Sequence, residues 1–371
     1  MTILGLIFGW IFAILFAFLT ISMLILGNWP HALILFLIMF LCLPPVNLFI
    51  KKQFNWSIHP LLRVVLILVL LFLFGRFVMG EKITSIYTTS EVKARFMEIY
   101  DQKMTEWPVP FEDVYLDTQY GVIHVIVSGP EDAPPMLLLH ASAVSGWSWK
   151  FNVEELNQYY RTYAIDTLGD VGKSEYTNIE NILQDGKDQA DLYAEIADKL
   201  GIESSVVVGA SDGGAIASHY ALNYPERVEK VALMGPMGYA GATESIIRIT
   251  FAQFFPLKPI QKSTFKWAFS DNEKLIEEFN EWFTLYMTGY SGGAIRVAPS
   301  MLSLEQRQSF QVPVMFIFGT RDNLVGDPFA AKKLVQDVPD VRVEIVEAGH
   351  LMGGEIPEKC NRLLLDFFGA P

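Results

Sequence analysis

Apolar residues crowd the front of the chain and then break into short, regularly spaced runs. No Asp, Glu, Lys or Arg precedes Lys51. Residues from about Ile3 to Leu26, from Ala32 to Ile50 and from Leu61 to Met79 form three apolar stretches. Each is near the roughly 20 residues that a helix needs to cross a bilayer. Gly27-Asn28-Trp29-Pro30 separates the first two, and Lys51-Lys52 through His59-Pro60 separates the second from the third. The pattern predicts a transmembrane region over residues 1–80, with about three helices facing membrane lipids. A signal peptide fits less well. There is no basic n-region, the first run is too long, and two more follow.

Behind this region the pattern changes twice. Ser90 to Lys103 reads as a charged helix, and Trp107-Pro108 ends it, so residues 81–110 are expected to be a helical connector. From residue 111 to 371, short apolar runs alternate with helical ones. Phe111-Asp117 and Val122-Ser128 alternate around Gln119-Tyr120-Gly121 and predict a hairpin. Met136-His140, Thr162-Asp166, Ser205-Ala210, Val228-Gly235, Val312-Gly319 and Val341-Val346 predict further strands. Helices are expected near Asn152-Tyr160, Ala190-Leu200, Gly214-Tyr224, Pro328-Val335 and Pro357-Phe368. Such alternation means an α/β domain with a mostly parallel sheet. Residues of about 236–311 interrupt the rhythm with helical patterns alone, as a cap inserted between two core strands would. Phe251, Phe254, Phe255, Trp267, Phe269, Trp282, Phe283, Tyr286 and Met287 there are candidates for an apolar pocket lining or for the cap's own core.

Charge narrows the partners. Of 28 basic residues four precede Lys82, and of 41 acidic residues one does. The rest of the chain therefore stands near −16, which argues against nucleic acid as a partner. Two cysteines, Cys42 and Cys360, are too few for a zinc site and do not fix a redox compartment.

The densest chemical signal is Val206-Val207-Val208-Gly209-Ala210-Ser211-Asp212-Gly213-Gly214. A β-branched run enters G-x-S-x-G, and a small-residue helix pattern follows. This is the pattern of a nucleophile elbow, in which a strained turn lifts the serine clear of the sheet. A serine so presented becomes a nucleophile once a base and an oxyanion hole are supplied.

Taken with the strand order, this segment resembles the α/β-hydrolase fold superfamily over roughly residues 105–371. Within it, Ser128-Gly129-Pro130-Glu131-Asp132-Ala133-Pro134-Pro135 and Tyr163-Ala164-Ile165-Asp166-Thr167-Leu168-Gly169-Asp170 resemble bacterial carboxylesterases of the Bacillus type. The resemblance implies a triad in the order serine, acid, histidine. Ser211 is then the serine. Asp322 closes the strand-Gly-x-x-Asp run Val314 to Asp322, and His350 ends Val343 to His350 in Gly-His. His350 would take the Ser211 proton, and Asp322 would fix its tautomer. Asp327, Glu347, His140, His219 and His124 are weaker rivals by position. The serine argues against the dehalogenases and epoxide hydrolases of this fold, which use aspartate there.

The oxyanion hole needs two backbone N–H groups. Asp212 is expected to supply one and Ser142 the other. The loop reads His140-Ala141-Ser142-Ala143 where the family usually has His-Gly, so Ala141 is expected to carry strain if that position needs φ > 0. A second departure is Asp166-x-x-Gly169-Asp170, one residue longer than usual. A P-loop reading of Gly172-Lys173-Ser174 fails, because Thr167 stands where the leading glycine should be.

These readings describe a membrane-anchored serine hydrolase that cleaves a carboxylic ester through an acyl-enzyme, without metal or organic cofactor. A thioesterase, lipase-like hydrolase, aminopeptidase or C–C bond hydrolase would use the same triad. A catalytically silent membrane scaffold is the alternative of another class. Lys51 and Lys52 after the second run, with Arg63 close behind, place that loop in the cytoplasm. Three spans then put the hydrolase domain on the extracytoplasmic face, although Arg76, Lys82, Lys93 and Arg95 oppose this.

Overall fold

The computed structural model describes residues 3–25, 29–43, 46, 52, 64–70, 85–178, 180–239, 248, 258–268, 272–291 and 295–370. The chain divides into two compact units, Met1–Lys82 with Thr250–Ile260, and Ile83–Ile249 with Gln261–Pro371.

In the first unit, helices Ile3–Ile25 and Trp29–Cys42 pack on each other around Ala13, Ile38 and Cys42. Trp10, Phe18, Leu33 and Phe36 stay exposed on them. The 14 residues of Trp29–Cys42 rise about 21 Å, short of a hydrocarbon core of about 30 Å. The third apolar run is described only at residues 64–70. Among the described residues, no helix is long and apolar enough to cross a membrane. This corrects the expectations of a transmembrane region, of membrane lipids as partners and of a multi-pass protein with its hydrolase domain outside. The separators Gly27 and Asn28, and the charges Lys51, Arg63, Arg76 and Lys82 used to orient the spans, lie outside the described residues.

The second unit is built on one sheet. Its described strands are β1 (Phe111–Asp117), β2 (Gly121–Ser128), β3 (Pro135–Leu139), β4 (Arg161–Ile165), β5 (Glu175–Tyr176), β6 (Ser205–Ala210), β7 (Val228–Met234), β8 (Val314–Gly319) and β9 (Val341–Val346). They run in the order β1-β2-β4-β3-β6-β7-β8-β9, with β5 on β2. The pairs from β4 to β9 are parallel, and β2 is antiparallel to its neighbours.

Central parallel strands are apolar at successive positions because both faces are covered. Alternation sorts the side chains. Met136, Leu138, Val206, Val208, Met315 and Ile317 enter one core, while Leu137, Leu139, Val207, Phe316 and Phe318 enter the other. Helices Gly186–Lys199 and Asp212–Asn223 cover the second core with Leu192, Ile196, Ile216 and Tyr220. Helices Ser90–Met104, Glu273–Gly289 and Pro357–Phe368 cover the first with Phe96, Trp282 and Leu364. Ser90–Met104 starts where Thr89 accepts the Val92 N–H and carries Glu91 in its first turn and Lys103 in its last, as the helix dipole favours. Its Phe96 and Tyr100 are fully buried, each contributing about 1.5–3 kcal/mol.

The register matters for the site. Leu139 of β3 pairs with Gly209 of β6, and Gly319 of β8 pairs with Val346 of β9. The segments that leave these strand ends therefore emerge on one edge of the sheet, where α/β folds bind ligands.

His124 on β2 has no exposed surface. Its Nδ1 lies 2.9 Å from Asp166 Oδ2 and its Nε2 lies 2.7 Å from Asp113 Oδ1. The Tyr100 hydroxyl donates to Asp166 Oδ1 at 3.3 Å. Burial by itself lowers the imidazole pKa, but the two carboxylates more than offset it and hold it above its usual range. Burial alone would raise the Asp166 carboxyl, yet the His124 contact holds it below its usual range. The raised imidazole stabilises fully below about pH 6.5, and this is lost as pH rises through the folded value. The lowered carboxyl stabilises above about pH 3.9, and this is lost as pH falls through its folded value. Thermal melts should therefore show His124→Gln most destabilised, by about 3–5 kcal/mol, near pH 5–6, with a smaller gap on either side. A gap that is constant from pH 4 to 9 would contradict this clamp.

Candidate active site

The backbone is tightly packed around Ser211. It joins β6 to helix Asp212–Asn223 at φ 53°, ψ −113°, a region that non-glycine residues rarely enter. A Cβ on Gly209 would stand 2.3 Å from the Gly213 carbonyl oxygen, and one on Gly213 would stand 2.3 Å from that of Leu139. Only hydrogen fits at either place, which is the physical content of the two glycines in G-x-S-x-G. The Ser211 N–H donates to the Met234 carbonyl at 2.9 Å, and its carbonyl accepts from Met237 at 2.9 Å and Gly214 at 3.0 Å. The bend is thus held from both sides.

Asp322 and His350 arrive from the ends of β8 and β9. His350 Nε2 lies 2.8 Å from Ser211 Oγ, and Nδ1 lies 2.9 Å from Asp322 Oδ2. Ser211, Asp322 and His350 expose 6 %, 3 % and 6 % of their surface. Asp322 Oδ1 accepts the N–H groups of Leu324 at 2.9 Å and Val325 at 3.0 Å. That turn aims Oδ2 at the imidazole. A carboxylate accepting from Nδ1–H leaves the Nε2 lone pair for the serine hydroxyl.

The rival side chains lie in other settings. Asp327 accepts from Phe329 N–H at 2.9 Å and caps helix Pro328–Leu334. Glu347 is exposed. His219 lies within the elbow helix, its imidazole pKa lowered by burial. His124 belongs to the clamp described above.

His140 and the loop after it are fixed by hydrogen bonds. The Thr167 N–H donates to His140 Nε2 at 2.9 Å, so that nitrogen is an acceptor. Nδ1 then carries the proton and donates to the Ala141 carbonyl at 2.7 Å. The expected strain at Ala141 is displaced by two residues. Among the described residues other than glycine, positive φ falls on Ala143 at 65° and on Ser211. Both peptide groups of Ala143 are secured. Its N–H donates to Asp170 Oδ2 at 3.0 Å, and its carbonyl accepts from Trp282 Nε1 at 2.8 Å. Ser142 and Asp212 are joined through one guanidinium, because Arg296 donates to Ser142 Oγ and to Asp212 Oδ2.

Beside His350 lies a narrow cleft walled by Trp149, Phe151, Met234, Phe279 and Met352. Of the cap aromatics singled out in the sequence, Trp282 and Phe283 are buried in the core, and Phe251, Phe254, Phe255 and Phe269 lie outside the described residues. Phe279 was not among them. It stands three residues from Ile276 and Trp282, a spacing that reads as helix core. Arg296 and Asp170 also escaped sequence reasoning, since nothing local pairs them. Among the described residues, no group of three His, Cys, Asp or Glu side chains is placed to hold a metal ion.

Known proteins bear the same likeness. A sequence profile of the alpha/beta hydrolase family matches residues 136–363. The uncharacterized carboxylesterase nap of Bacillus subtilis (strain 168) is 29% identical over 303 residues, covering 79% of this chain and 98% of its own. Carboxylesterase YbfK of the same organism is 29% identical over 305 residues, covering 76% and 96%. The crystal structure of the Bacillus subtilis naproxen esterase (carboxylesterase NP) superposes with a TM-score of 0.70 at 28% identity, over 76% of this chain and 99% of that one.

The left-handed backbone at Ala143 generates a stability prediction. Ala143→Val puts a β-branched side chain where even alanine is disfavoured and should cost about 1–2 kcal/mol or more, a fall in Tm of about 2–8 °C. Ala143→Gly should leave Tm nearly unchanged, because relief of strain and the greater freedom of the unfolded chain oppose each other. Calorimetry showing the valine variant as stable as the parent would contradict the left-handed assignment.

Proposed function

The chain belongs to the alpha/beta hydrolase family, and we propose that it cleaves a carboxylic ester through an acyl-enzyme formed on Ser211. The observation that carries the reading is the His350 imidazole bridging Ser211 at 2.8 Å and Asp322 at 2.9 Å. That the chain is a carboxylesterase-like hydrolase follows from its Bacillus subtilis relatives. The residue roles below are inferred from geometry and chemistry.

Ser211 Oγ attacks the ester carbonyl as His350 Nε2 takes its proton. The carbonyl π bond opens, and negative charge gathers on the carbonyl oxygen. The N–H groups of Ser142 and Asp212 are assigned to that oxygen. Asp322 steadies the imidazolium through Nδ1–H. The tetrahedral species collapses, the C–O bond to the alcohol breaks, and His350 gives its proton to the leaving oxygen. Water then repeats the sequence. His350 removes its proton, the hydroxyl attacks the acyl carbon, and Ser211 recovers its proton as the acid departs. The apolar walls of the cleft suit an apolar substituent on the ester. The relatives' description as carboxylesterases favours an ester over the thioester, peptide or C–C bond that the same triad serves elsewhere.

A fluorophosphonate probe should label the purified protein at Ser211. Ser211→Ala should lose both the label and short-chain p-nitrophenyl ester hydrolysis, the latter by about four orders of magnitude or more. Asp322→Asn should keep the fold and lose about 10⁴-fold in kcat, because the imidazole takes the wrong tautomer. Labelling at a different serine, or full turnover by the alanine variant, would overturn the assignment.

A further inference from the structure

Arg296 lies outside the Ser211–His350–Asp322 chain, yet it touches both loops that border the serine. Its guanidinium donates to Ser142 Oγ and Asp212 Oδ2. It also lies 3.3 Å from Asp170 Oδ2, the oxygen that accepts the Ala143 N–H. The Arg296 side chain is 13% exposed, Asp212 5% and Asp170 1%. One cation is therefore enclosed with two carboxylates, the Ser142 hydroxyl and the Tyr290 hydroxyl.

The segment that carries Arg296 is itself held. The Ile295 carbonyl accepts from Tyr176 Oη at 3.2 Å, and the Tyr290 hydroxyl donates to the Gly169 carbonyl at 2.8 Å. Tyr286 and Tyr290 stack with centroids 4.6 Å apart. Trp282 secures the Ala143 carbonyl. The region between β7 and β8 thus supplies Trp282, Tyr290 and Arg296 to the loops that follow β3, β4 and β6.

We infer that Arg296 is a positioning residue that sets the oxyanion hole by tying Ser142 to Asp212. The inference rests on the acyl-enzyme reading above. Ser142 and Asp212 are the residues whose backbone N–H groups are assigned to the developing oxyanion. A planar guanidinium presents several donors in a fixed fork, so gripping both side chains limits how far the two backbones can drift apart. Asp170 completes the tie, because it holds Ala143, the left-handed residue next to Ser142. The arrangement also bears on specificity. The guanidinium is already met by two carboxylates, so it is a brace and not a receptor for an anionic substrate. Neutral esters should be preferred over esters that carry a free carboxylate.

The test compares the parent, Arg296→Gln, Arg296→Lys and Ser211→Ala, using a neutral p-nitrophenyl ester and one bearing a carboxylate. Arg296→Gln should lower kcat about 10- to 100-fold with KM within about threefold, the signature of misplaced transition-state contacts. Affinity for a trifluoromethyl ketone, which forms the tetrahedral oxyanion, should fall in parallel. A residue that merely supports the fold would lower Tm without that parallel. Arg296→Lys keeps a cation against Asp170 and Asp212 and guards against loss of fold. It should melt near the parent but stay deficient in kcat, since an ammonium lacks the planar fork. Parental kcat and ketone affinity in folded Arg296→Lys and Arg296→Gln would overturn the inference. So would a rise in KM confined to the carboxylate-bearing ester, which would make Arg296 a substrate anchor. The acyl-enzyme reading is judged separately in the same assays, by whether the parent turns over and Ser211→Ala does not.

Discussion

A serine held at φ 53°, ψ −113° costs of order 1–3 kcal/mol and persists only where its surroundings over-determine it. Here they do. Gly209 and Gly213 let β6, the elbow helix and the end of β3 approach to distances that a methyl group would forbid. Backbone bonds to Met234, Met237 and Gly214 hold the bend. Because the bend is fixed, the Ser211 Cα–Cβ bond has a fixed direction, and His350 Nε2 lies 2.8 Å from Oγ. The parallel register of β3, β6, β7, β8 and β9 is what brings the segments after their ends to one edge.

The second strained residue, Ala143, shows how the oxyanion loop is kept in shape without the usual glycine. Asp170 holds its N–H, Trp282 holds its carbonyl, and His140 holds the carbonyl of Ala141. Two remote parts of the chain, at Asp170 and Trp282, thus converge on Ala143. The acids near the serine are arranged with similar economy. Asp322 faces the imidazole, while Asp170 and Asp212 share Arg296. The negative charge around the nucleophile is thereby partly neutralised, although Arg296 is remote in sequence from Ser142, Asp170 and Asp212.

How much of this was legible in the sequence depends on the range of the interaction involved. The elbow is a local device, in which a β-branched strand, two glycines and a small-residue helix are adjacent in the chain. Strands β1, β6 and β9 begin and end where their alternation or apolar run does. Asp322 and His350 were legible because each follows a strand that the pattern marks. The contacts of Arg296, Asp170 and Phe279 were not. They are made across 27 to 154 positions of chain or across the sheet edge, and no local period encodes them. The strain expected at Ala141 falls on Ala143 because the loop turns later than the family pattern implies. The membrane reading rested on apolar length counted along the sequence. Helix Trp29–Cys42 stops after 14 residues, and among the described residues no helix is long and apolar enough to cross a membrane.

The central claim is that the acyl group passes through Ser211. Rapid-quench mass spectrometry during turnover of a p-nitrophenyl ester measures this most directly. The account predicts a mass increment equal to the acyl group on the peptide that contains Ser211, forming and decaying at rates that match turnover. Turnover with the acyl group found on another residue, or with no acyl-enzyme despite a quench fast enough to catch one, would contradict it.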